Sequence, residues 1–339
     1  MADGAALAPL TSLRLGGTAR SLLECASEAE IVAALAEHPA AVVLGGGSNV
    51  VFADGDLDID VLAVRTRGVA ADVDDCAGAW VTVAAGESWD DFVDVAVAEG
   101  WRGVEALSGI PGLVGATPIQ NVGAYGQEVG ATVARVRAYD RIDGKVVVLA
   151  AADCGFGYRS STFKTEPERH VVLDVTFQLR LGSSSEPIAY AELARALGVE
   201  VGQRAPMSQV RAAVLSLRAG KGMVLDDADH DTWSVGSFFL NPVLAPGVTP
   251  PEGAVTFAAA NGGTKVSAAW LISAAGFERG YSLPGSRAAI SGKHSLALTN
   301  RGDATSAELI ELARAVRDGV RARFGITLEP EPRLVGCSL

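Results

Sequence analysis

The hydrophobic pattern of the chain predicts three helices that carry their own start and stop signals. Ser27 and Thr305 are each followed three residues later by a glutamate, which is the pattern of a capping box, and Ser88 precedes a run with two aspartates in its first turn. Apolar residues then recur every three or four positions, as on the buried face of an amphipathic helix. The stop signals are His38-Pro39, Gly100 and Gly325. We expect one helix between each start and its stop.

Runs rich in β-branched residues predict strands between these helices. They cover residues 41–44, 50–52, 61–64, 80–84, 135–139, 145–149 and 171–181. Strands and helices follow one another without a regular β-α-β period, so the sequence predicts an α+β fold rather than a doubly wound parallel sheet. Residues 182–187 and 205–231 are candidate joints between domains.

The composition is that of a chain that folds around a substantial core. Of its 339 residues, 49% are hydrophobic and 20% are charged, which excludes disorder as the main state and allows about two or three domains. Lysine and arginine total 28 against 40 aspartates and glutamates, so the formal net charge is −12. This charge argues against nucleic acid or an anionic membrane as the partner. An anionic ligand would need a site built from backbone amides or local basic groups.

Further features bear on the compartment and on membrane or metal chemistry. The N-terminus lacks a basic region followed by a long apolar stretch, so no secretory signal is indicated and we expect a cytoplasmic protein. The uncharged segment 106–127 is long enough to span a bilayer, but its two prolines and five glycines exclude a continuous helix. The four cysteines are scattered and share no metal-ligand spacing, so we expect reduced thiols without a metal or redox role.

Two glycine-rich segments carry the first chemical signal. One is Gly45-Gly46-Gly47-Ser48-Asn49, directly after an apolar strand, and the other covers residues 108–126. Glycines let the backbone approach a ligand and aim N–H groups at phosphate, and Ser48 and Asn49 add side-chain donors. The second segment combines five glycines with Gln, Asn and Tyr, which an ordinary core does not need. We therefore predict one long dinucleotide held by two subdomains.

Other nucleotide and hydrolase signatures fail. Gly220-Lys221 is followed by Gly222 rather than by Ser or Thr, so it is not a Walker motif, and no G-x-S-x-G elbow occurs in the sequence. The histidines sit in unlike sequence contexts, which indicates surface or structural roles rather than a catalytic base. They are His38, His170, His230 and His294.

Three shorter motifs carry polar residues next to aromatic ones or prolines. Arg159 lies in YRSSTFK, where a guanidinium could hold a carboxylate with two parallel hydrogen bonds. Ser237 lies in GSFFLNP, and Glu331 lies in EPEPR directly after the last predicted helix and a short strand. Each motif alone is also typical of a solvated or capping residue.

Together these motifs resemble the UDP-N-acetylenolpyruvoylglucosamine reductase family, flavoenzymes that complete UDP-N-acetylmuramic acid in peptidoglycan synthesis. LGGGSN, SGIPGLVGATPIQNVGAYG, YRSSTFK, GSFFLNP and LEPEPR occur in the family's order over nearly the whole chain. The insert between Arg180 and Gly236, with Tyr190 in it, is similar to the longer, type I form.

The resemblance implies an FAD-binding region of the vanillyl-alcohol-oxidase/cresol-methylhydroxylase type, made of two α+β subdomains at residues 1–70 and 71–215. A substrate-binding domain at 216–339 would follow. FAD would be bound non-covalently, NADPH would be the hydride donor, and the protein would be a monomer. The residues expected to hold FAD are Gly45, Gly46, Gly47, Ser48, Asn49, Pro111, Gly112, Gly115, Ala116, Ile119, Gln120, Asn121, Gly123 and Tyr125.

The family's functional positions fall on Arg159, Ser237 and Glu331. The resemblance implies that Arg159 and Glu331 stabilise the carboxylate of the enolpyruvyl substrate and that Ser237 protonates its α-carbon. The sequence does not identify a group that supports so weak an acid as serine. Substrate contacts are expected from Tyr190, Lys221 and Asn241. The chain departs from the family pattern at Ser160, Leu240 and Pro332, and it offers only Phe257 where a tyrosine is expected before Lys265.

Two other functions are compatible with parts of the pattern. An FAD-dependent oxidase of alcohols or sugars would share the glycine-rich segments but would not need the Ser237 and Glu331 motifs. A nucleotide-binding regulatory or scaffold protein could keep the same segments without turnover, and the presence of all three polar motifs counts against it.

Overall fold

The computed structural model describes residues 2–259 and 262–339, and the chain divides into two compact units. The first unit contains residues 20–46 and 59–219 together with the extreme N-terminus. The second contains residues 4–19, 47–58 and 220–339. The chain therefore passes between the units several times, and each unit has its own hydrophobic core.

Helices and strands are interspersed, as the sequence predicts. The helices are α1 (Glu28–Glu37), α2 (Trp89–Ala98), α3 (Thr162–Thr165), α4 (Ala191–Leu197), α5 (Met207–Gly220), α6 (Ala268–Ala274) and α7 (Ser306–Phe324). The strands are β1 (Ala2–Ala6), β2 (Thr18–Cys25), β3 (Val42–Leu44), β4 (Val50–Phe52), β5 (Asp56–Val64), β6 (Val69–Asp74), β7 (Gly78–Ala84), β8 (Trp101–Arg102), β9 (Gly123–Ala124), β10 (Gln127–Glu128), β11 (Val133–Asp140), β12 (Lys145–Ala150), β13 (His170–Leu181), β14 (Ser234–Ser237), β15 (Val243–Leu244), β16 (Thr256–Ala258), β17 (Thr264–Val266), β18 (Ala288–Ile290), β19 (Ala297–Asn300) and β20 (Arg333–Val335).

The helices predicted from capping signals are confirmed as α1, α2 and α7. Ser27 and Ser88 each accept a hydrogen bond from the backbone N–H three residues later. Thr305 and Glu308 form a reciprocal capping box at the start of α7, and Gly325 ends α7 with a left-handed φ of 69°. These signals are local, because each cap needs only residues within one turn.

The first unit is built around an antiparallel sheet. Its strands run in the order β12-β11-β13-β7-β6, and β8 pairs with the end of β13. A second sheet has the order β1-β2-β5-β3, with β3 parallel to β5. Trp89 and Phe92 of α2 pack their rings against Phe177 of β13 at centroid distances of 5.9 and 5.0 Å. This aromatic cluster fixes α2 beside the central strand.

The second unit packs its longest helix on a small sheet. α7 contacts β18, β19 and α6, and its fully buried stripe is Leu309, Leu312, Val316 and Val320. Strands β14, β19 and β18 form one sheet, β15, β17 and β16 form another, and β20 runs parallel to β4. The strand pair β4 and β20 thus ties residues 50–52 to residues 333–335 within this unit.

The predicted strands are confirmed, most of them a little longer than the sequence pattern indicates. The division between the two units falls at 219/220, inside the candidate joint at 205–231, and this stretch also contains the 14-residue helix α5. The candidate joint at 182–187 is corrected, because it lies inside the first unit, where Ser185 is buried and donates its N–H to Ala205 O at 2.8 Å.

Segment 106–127 forms short 3-10 turns and loops rather than a continuous helix. Within residues 2–259 and 262–339, no helix is long and apolar enough to cross a membrane.

Candidate active site

The two glycine-rich segments meet in the first unit. A β-carbon built on Gly46 would lie 2.8 Å from the Cα of Gly112, and one on Gly45 would contact the side chain of Leu113 at 3.7 Å. Gly112 has φ 115°, a conformation that L side chains rarely adopt. Gly46 is therefore required by close backbone approach, and the two loops predicted to share one ligand are direct neighbours.

The first half of the second glycine segment is anchored to the start of α2. Trp89 N–H donates to Gly112 O at 3.1 Å, and Gly115 N–H donates to Ala85 O at 2.9 Å. A β-carbon on Gly115 would lie only 2.5 Å from the β-carbon of Ala85. Gly115 is thus explained by packing against Ala85. The neighbouring residues Pro111 and Ala116 lie on the same anchored turn.

Arg159 is attached to the second half of this segment. Its Nη2 donates to Gly123 O at 2.6 Å and its Nη1 to Asn121 O at 3.4 Å. Asn121, Tyr125 and Arg159 have φ of 41°, 49° and 49°, which is the left-handed region that residues with a β-carbon rarely occupy. Backbone strain of this kind concentrates at functional sites.

The side chain of Asn121 holds the loop together. It is buried, donates to Gly157 O at 2.9 Å and to Glu128 at 3.0 Å, and accepts from Gly130 N–H at 2.9 Å. These contacts use both its donors and its acceptor, so its side chain organises the loop from within.

Two residues of the YRSSTFK motif that sequence reasoning did not select also bind this loop. Lys164 Nζ donates to Gln120 Oε1 and to Arg159 O, both at 3.0 Å. Ser161 Oγ donates to Ile119 O at 2.7 Å. The motif therefore positions Arg159 through a network of hydrogen bonds, which a linear pattern does not reveal.

Tyr190, a predicted substrate contact, lies beside this loop. Its ring meets the ring of Tyr125 edge to face at a centroid distance of 5.8 Å. Tyr190 directly precedes α4 and is 46% exposed. It thus presents an aromatic surface next to a residue predicted to hold the cofactor.

A pair of charged groups that sequence reasoning missed clamps the start of the same segment. Gly109 N–H donates to Asp90 at 2.6 Å, and Arg218 Nε donates to Gly109 O at 3.1 Å. Burial lowers the pKa of Arg218. Burial alone would raise the pKa of Asp90, but hydrogen bonds from Arg211 and from Gly109 N–H bring it below its usual value. No sequence signal distinguishes these residues, because they come from α2 and α5.

The remaining motifs come together in the second unit. Glu331 N–H donates to Phe238 O at 2.8 Å, and Leu240 N–H donates to Glu329 O at 3.0 Å. The backbone of LEPEPR thus runs along the backbone of GSFFLNP, so Ser237 and Glu331 belong to neighbouring segments. Ser237 Oγ lies 3.5 Å from His294 Nε2.

The rest of the first glycine motif belongs to the second unit. Gly47 has φ 64°, and a β-carbon there would lie 1.9 Å from Leu10 O. Gly47 O accepts from Ser12 N–H at 3.1 Å, and Asn49 O accepts from Arg333 N–H at 3.0 Å. Ser48 lies between them. The Gly-Gly-Gly turn therefore divides between the units, with Gly45 and Gly46 in the first.

The other predicted substrate contacts also lie in the second unit. Asn241 Oδ1 accepts from Ala268 N–H at 2.8 Å, which joins it to the first residue of α6. Lys221 directly follows α5. Phe257 pairs with Lys265 across β16 and β17, and the Lys265 ammonium lies 5.9 Å from the centre of its ring.

Comparison with known proteins defines the class of this protein first. A family model described as an FAD binding domain matches residues 19–150, and a model described as UDP-N-acetylenolpyruvoylglucosamine reductase, C-terminal domain, matches residues 227–335. The chain is thus a flavoprotein oxidoreductase with an FAD-binding part and a distinct C-terminal domain.

Full-length relatives identify the family. The chain is 56% identical to the UDP-N-acetylenolpyruvoylglucosamine reductase of Cutibacterium acnes, over 98% of this chain and 90% of that protein. It is 51% identical to the protein of the same name from Streptomyces coelicolor, over 99% of this chain and 90% of that protein. The chain belongs to the UDP-N-acetylenolpyruvoylglucosamine reductase family.

A solved structure supports the fold. The UDP-N-acetylenolpyruvylglucosamine reductase of Thermus caldophilus superposes with a TM-score of 0.65 at 24% identity, covering 97% of each chain. The resemblance stated from the motifs, the α+β class and the FAD-binding fold are confirmed. The division at residues 1–70, 71–215 and 216–339 stays a prediction, as do the individual site residues.

Proposed function

We propose that this chain uses NADPH to reduce the enolpyruvyl group of UDP-N-acetylglucosamine enolpyruvate, giving UDP-N-acetylmuramate for peptidoglycan synthesis. Family membership supports the reaction. The observation that carries the assignment of roles is the attachment of Arg159 to the carbonyls of Asn121 and Gly123, on the glycine segment whose other half touches Gly46. A cation suited to a carboxylate and a backbone cradle suited to a dinucleotide are thus parts of one loop system.

The residues present fit FAD. A side chain on Gly46 would collide with the Cα of Gly112, and Gly112 has a φ of 115° that L side chains rarely adopt, which leaves peptide edges to face a pyrophosphate or a planar ring. Bound there, FAD would supply the hydride transfer from NADPH to the β-carbon of the enol ether. The proposed holding residues are those of Gly45–Asn49 and of the segment from Pro111 to Tyr125.

Arg159 would stabilise negative charge on the substrate carboxylate. Reduction at the β-carbon moves an electron pair toward the α-carbon, and the neighbouring carboxylate shares that charge. A guanidinium held rigidly by two backbone carbonyls is oriented before the substrate arrives, so little reorganisation is needed in the transition state.

Ser237 would protonate the α-carbon, and Glu331 would act at the same carboxylate. Both lie on paired segments of the second unit, joined by the hydrogen bond from Glu331 N–H to Phe238 O. We propose that Glu331 works through an arginine, through a water molecule or in its protonated form, since an ionised carboxylate would repel the substrate carboxylate. Tyr190, Lys221 and Asn241 are the proposed contacts to the UDP part of the substrate.

The net charge of −12 supports a small-molecule partner rather than nucleic acid or a membrane surface. We propose that the protein is cytoplasmic, because UDP-sugars and NADPH are cytoplasmic metabolites. We also propose that it is a monomer, as the family resemblance implies.

An anaerobic titration in two steps tests the proposal. The FAD-loaded protein is first bleached with NADPH and then mixed with UDP-N-acetylglucosamine enolpyruvate. We expect stoichiometric bleaching and then reoxidation with formation of UDP-N-acetylmuramate. A colourless protein that cannot be reconstituted with FAD, or a flavin that is reduced by simple alcohols or sugars and not reoxidised by the enolpyruvyl substrate, would overturn it.

A further inference from the structure

The structure places a histidine next to the proposed proton donor. His294 Nε2 lies 3.5 Å from Ser237 Oγ, and catalytic hydrogen bonds are often this long in structures without substrate. A serine hydroxyl is a weak acid, so protonation of carbon by Ser237 needs a partner that stabilises the oxygen left behind. His294 is the group in contact that can supply a proton at neutral pH.

The backbone fixes this contact. Ser237 pairs with Ala297 across β14 and β19, and Phe238 N–H donates to Leu296 O at 2.8 Å. His294 lies three residues before Ala297, in a turn closed by Ala297 N–H donating to His294 O at 3.1 Å and by Ser291 Oγ accepting from His294 N–H at 3.2 Å. The strand register therefore carries the imidazole to the Ser237 hydroxyl.

The charged groups around the turn are paired with one another. Lys293 forms an ion pair with Asp229. Arg301 binds Asp231 at 2.6 Å, and Asp231 also accepts from Gly292 N–H at 2.8 Å. On the other side of Ser237 the neighbouring acid is Glu331. Its N–H donates to the carbonyl oxygen of Phe238, the residue that directly follows β14.

We propose that His294 is a positioning residue for Ser237: its Nε2–H group hydrogen-bonds the hydroxyl oxygen and returns a proton to it after Ser237 has protonated the substrate. This inference rests on the proposed function, because it requires Ser237 to be the proton donor. Other histidines contact other groups: His38, for example, lies 3.0 Å from Asp60.

The step balances as two proton transfers. The O–H bond of Ser237 breaks and a C–H bond forms at the α-carbon, using the electron pair of the former enol ether double bond. The electron pair of the broken O–H bond stays on Oγ, which then takes a proton from Nε2 of the imidazolium. The electron pair of that N–H bond stays on the ring. His294 is half-buried, so solvent can protonate the ring again.

Stopped-flow measurement of flavin reoxidation by the enolpyruvyl substrate tests the inference. We compare Ser237→Ala, His294→Ala, His294→Gln and, as a matched control, Lys293→Ala, which changes the adjacent charge without touching Ser237. We expect His294→Ala to slow reoxidation about 100-fold, at the lower end of what a group in proton transfer contributes, while Lys293→Ala reoxidises at the wild-type rate. His294→Gln should regain part of the rate through its hydrogen bond, yet change the pH profile of reoxidation, because a glutamine amide cannot return a proton to the Ser237 oxygen.

A second measurement does not depend on turnover. The ring NMR signals of His294, assigned by their loss in His294→Gln, should shift when Ser237→Ala is introduced. If Ser237→Ala slows reoxidation while His294→Ala does not, or if His294→Gln keeps the wild-type pH profile, the inference is wrong and the proposed function stands. If Ser237→Ala reoxidises at the wild-type rate, the proposed role of Ser237 fails, and this inference fails with it.

Discussion

Arg159 donates a 2.6 Å hydrogen bond to the carbonyl oxygen of Gly123. The contact is so close that a β-carbon on Gly123 would lie 3.1 Å from Arg159 Nη1. The guanidinium therefore depends on a glycine in the same segment that approaches Gly46 through Gly112. A change at either end of this loop system should have a distinct effect on cofactor binding or on reduction of the substrate.

Replacement of Arg159 should impair the second half-reaction selectively. Arg159→Lys leaves one ammonium where a planar fork spans Gly123 O and Asn121 O, so the cation loses its fixed orientation. We expect reoxidation by the enolpyruvyl substrate to slow about 10²- to 10³-fold. Single-turnover absorbance measures this, with flavin content as the control for an intact loop. An unchanged rate in Arg159→Ala would contradict the proposed charge stabilisation.

Gly46→Ala should release flavin. The new methyl group would sit 2.8 Å from Gly112 Cα, so the two loops must move apart. We expect most of the protein to purify without flavin, as measured by the ratio of flavin to protein absorbance. Gly220→Ala is the matched control, because a β-carbon at Gly220 meets nothing within 4 Å. Full flavin content in Gly46→Ala would show that the loops do not form the cradle.

Asp90→Asn should destabilise the protein at neutral pH and matter less in acid. The lowered pKa of Asp90 means that its ionised form stabilises the folded state. That stabilisation is present above the pKa of an unfolded aspartate, about 3.9, and is lost as the pH falls through the lower folded value. We expect Asp90→Asn to reduce the free energy of unfolding by about 1–2 kcal/mol at pH 7. Denaturant melts at pH 7 and below pH 4 should show the gap closing.

The control for this change is Asp91→Asn, one residue along α2, whose exposed side chain does not hold Gly109. An equal loss of stability in both variants at pH 7 would attribute the effect to the start of the helix rather than to the clamp on Gly109.

Thiol reagents should separate the cysteines by exposure. Cys76 is exposed, whereas Cys25 and Cys154 are buried. Burial, and then the nearby Asp153, raises the pKa of Cys154 to about 11, so its thiolate is scarce at pH 8. We expect one fast-reacting thiol in the native protein, assigned to Cys76 by its loss in Cys76→Ser. A fast phase that persists in Cys76→Ser would contradict this assignment, and its loss on adding Cys337→Ser would trace it to the half-buried Cys337 rather than to a buried thiol.

Local signals in the sequence predicted local structure well. Ser27, Ser88 and Thr305 cap their helices as expected, because a cap depends on a side chain and an N–H within the same turn. α5 was not predicted, since its apolar residues are mixed with polar ones and it was interpreted as a joint. Val210 and Val214 of this helix are buried, and this could be recognised only once the core that they pack against was known.

The candidate site was predicted as a set of motifs rather than as a geometry. That the first glycine motif and the second glycine segment are neighbours could be inferred from their chemistry, and the approach of Gly46 to Gly112 agrees with it. The supporting contacts of Lys164, Arg218 and His294 could not, because each joins residues that the fold brings together from distant parts of the chain or from different elements. Histidine contexts in the sequence even favoured a purely structural role for His294.

The left-handed backbone at Asn121, Tyr125 and Arg159 has a consequence for protein engineering. Each of these residues carries a β-carbon where glycine would be relaxed, at a cost of about 1 kcal/mol apiece. Asn121→Gly and Arg159→Gly would relieve this strain but would also remove the side-chain hydrogen bonds that hold the loop. A stabilised version of this chain should therefore keep Asn121 and Arg159, because their hydrogen bonds outweigh the cost of their left-handed backbone.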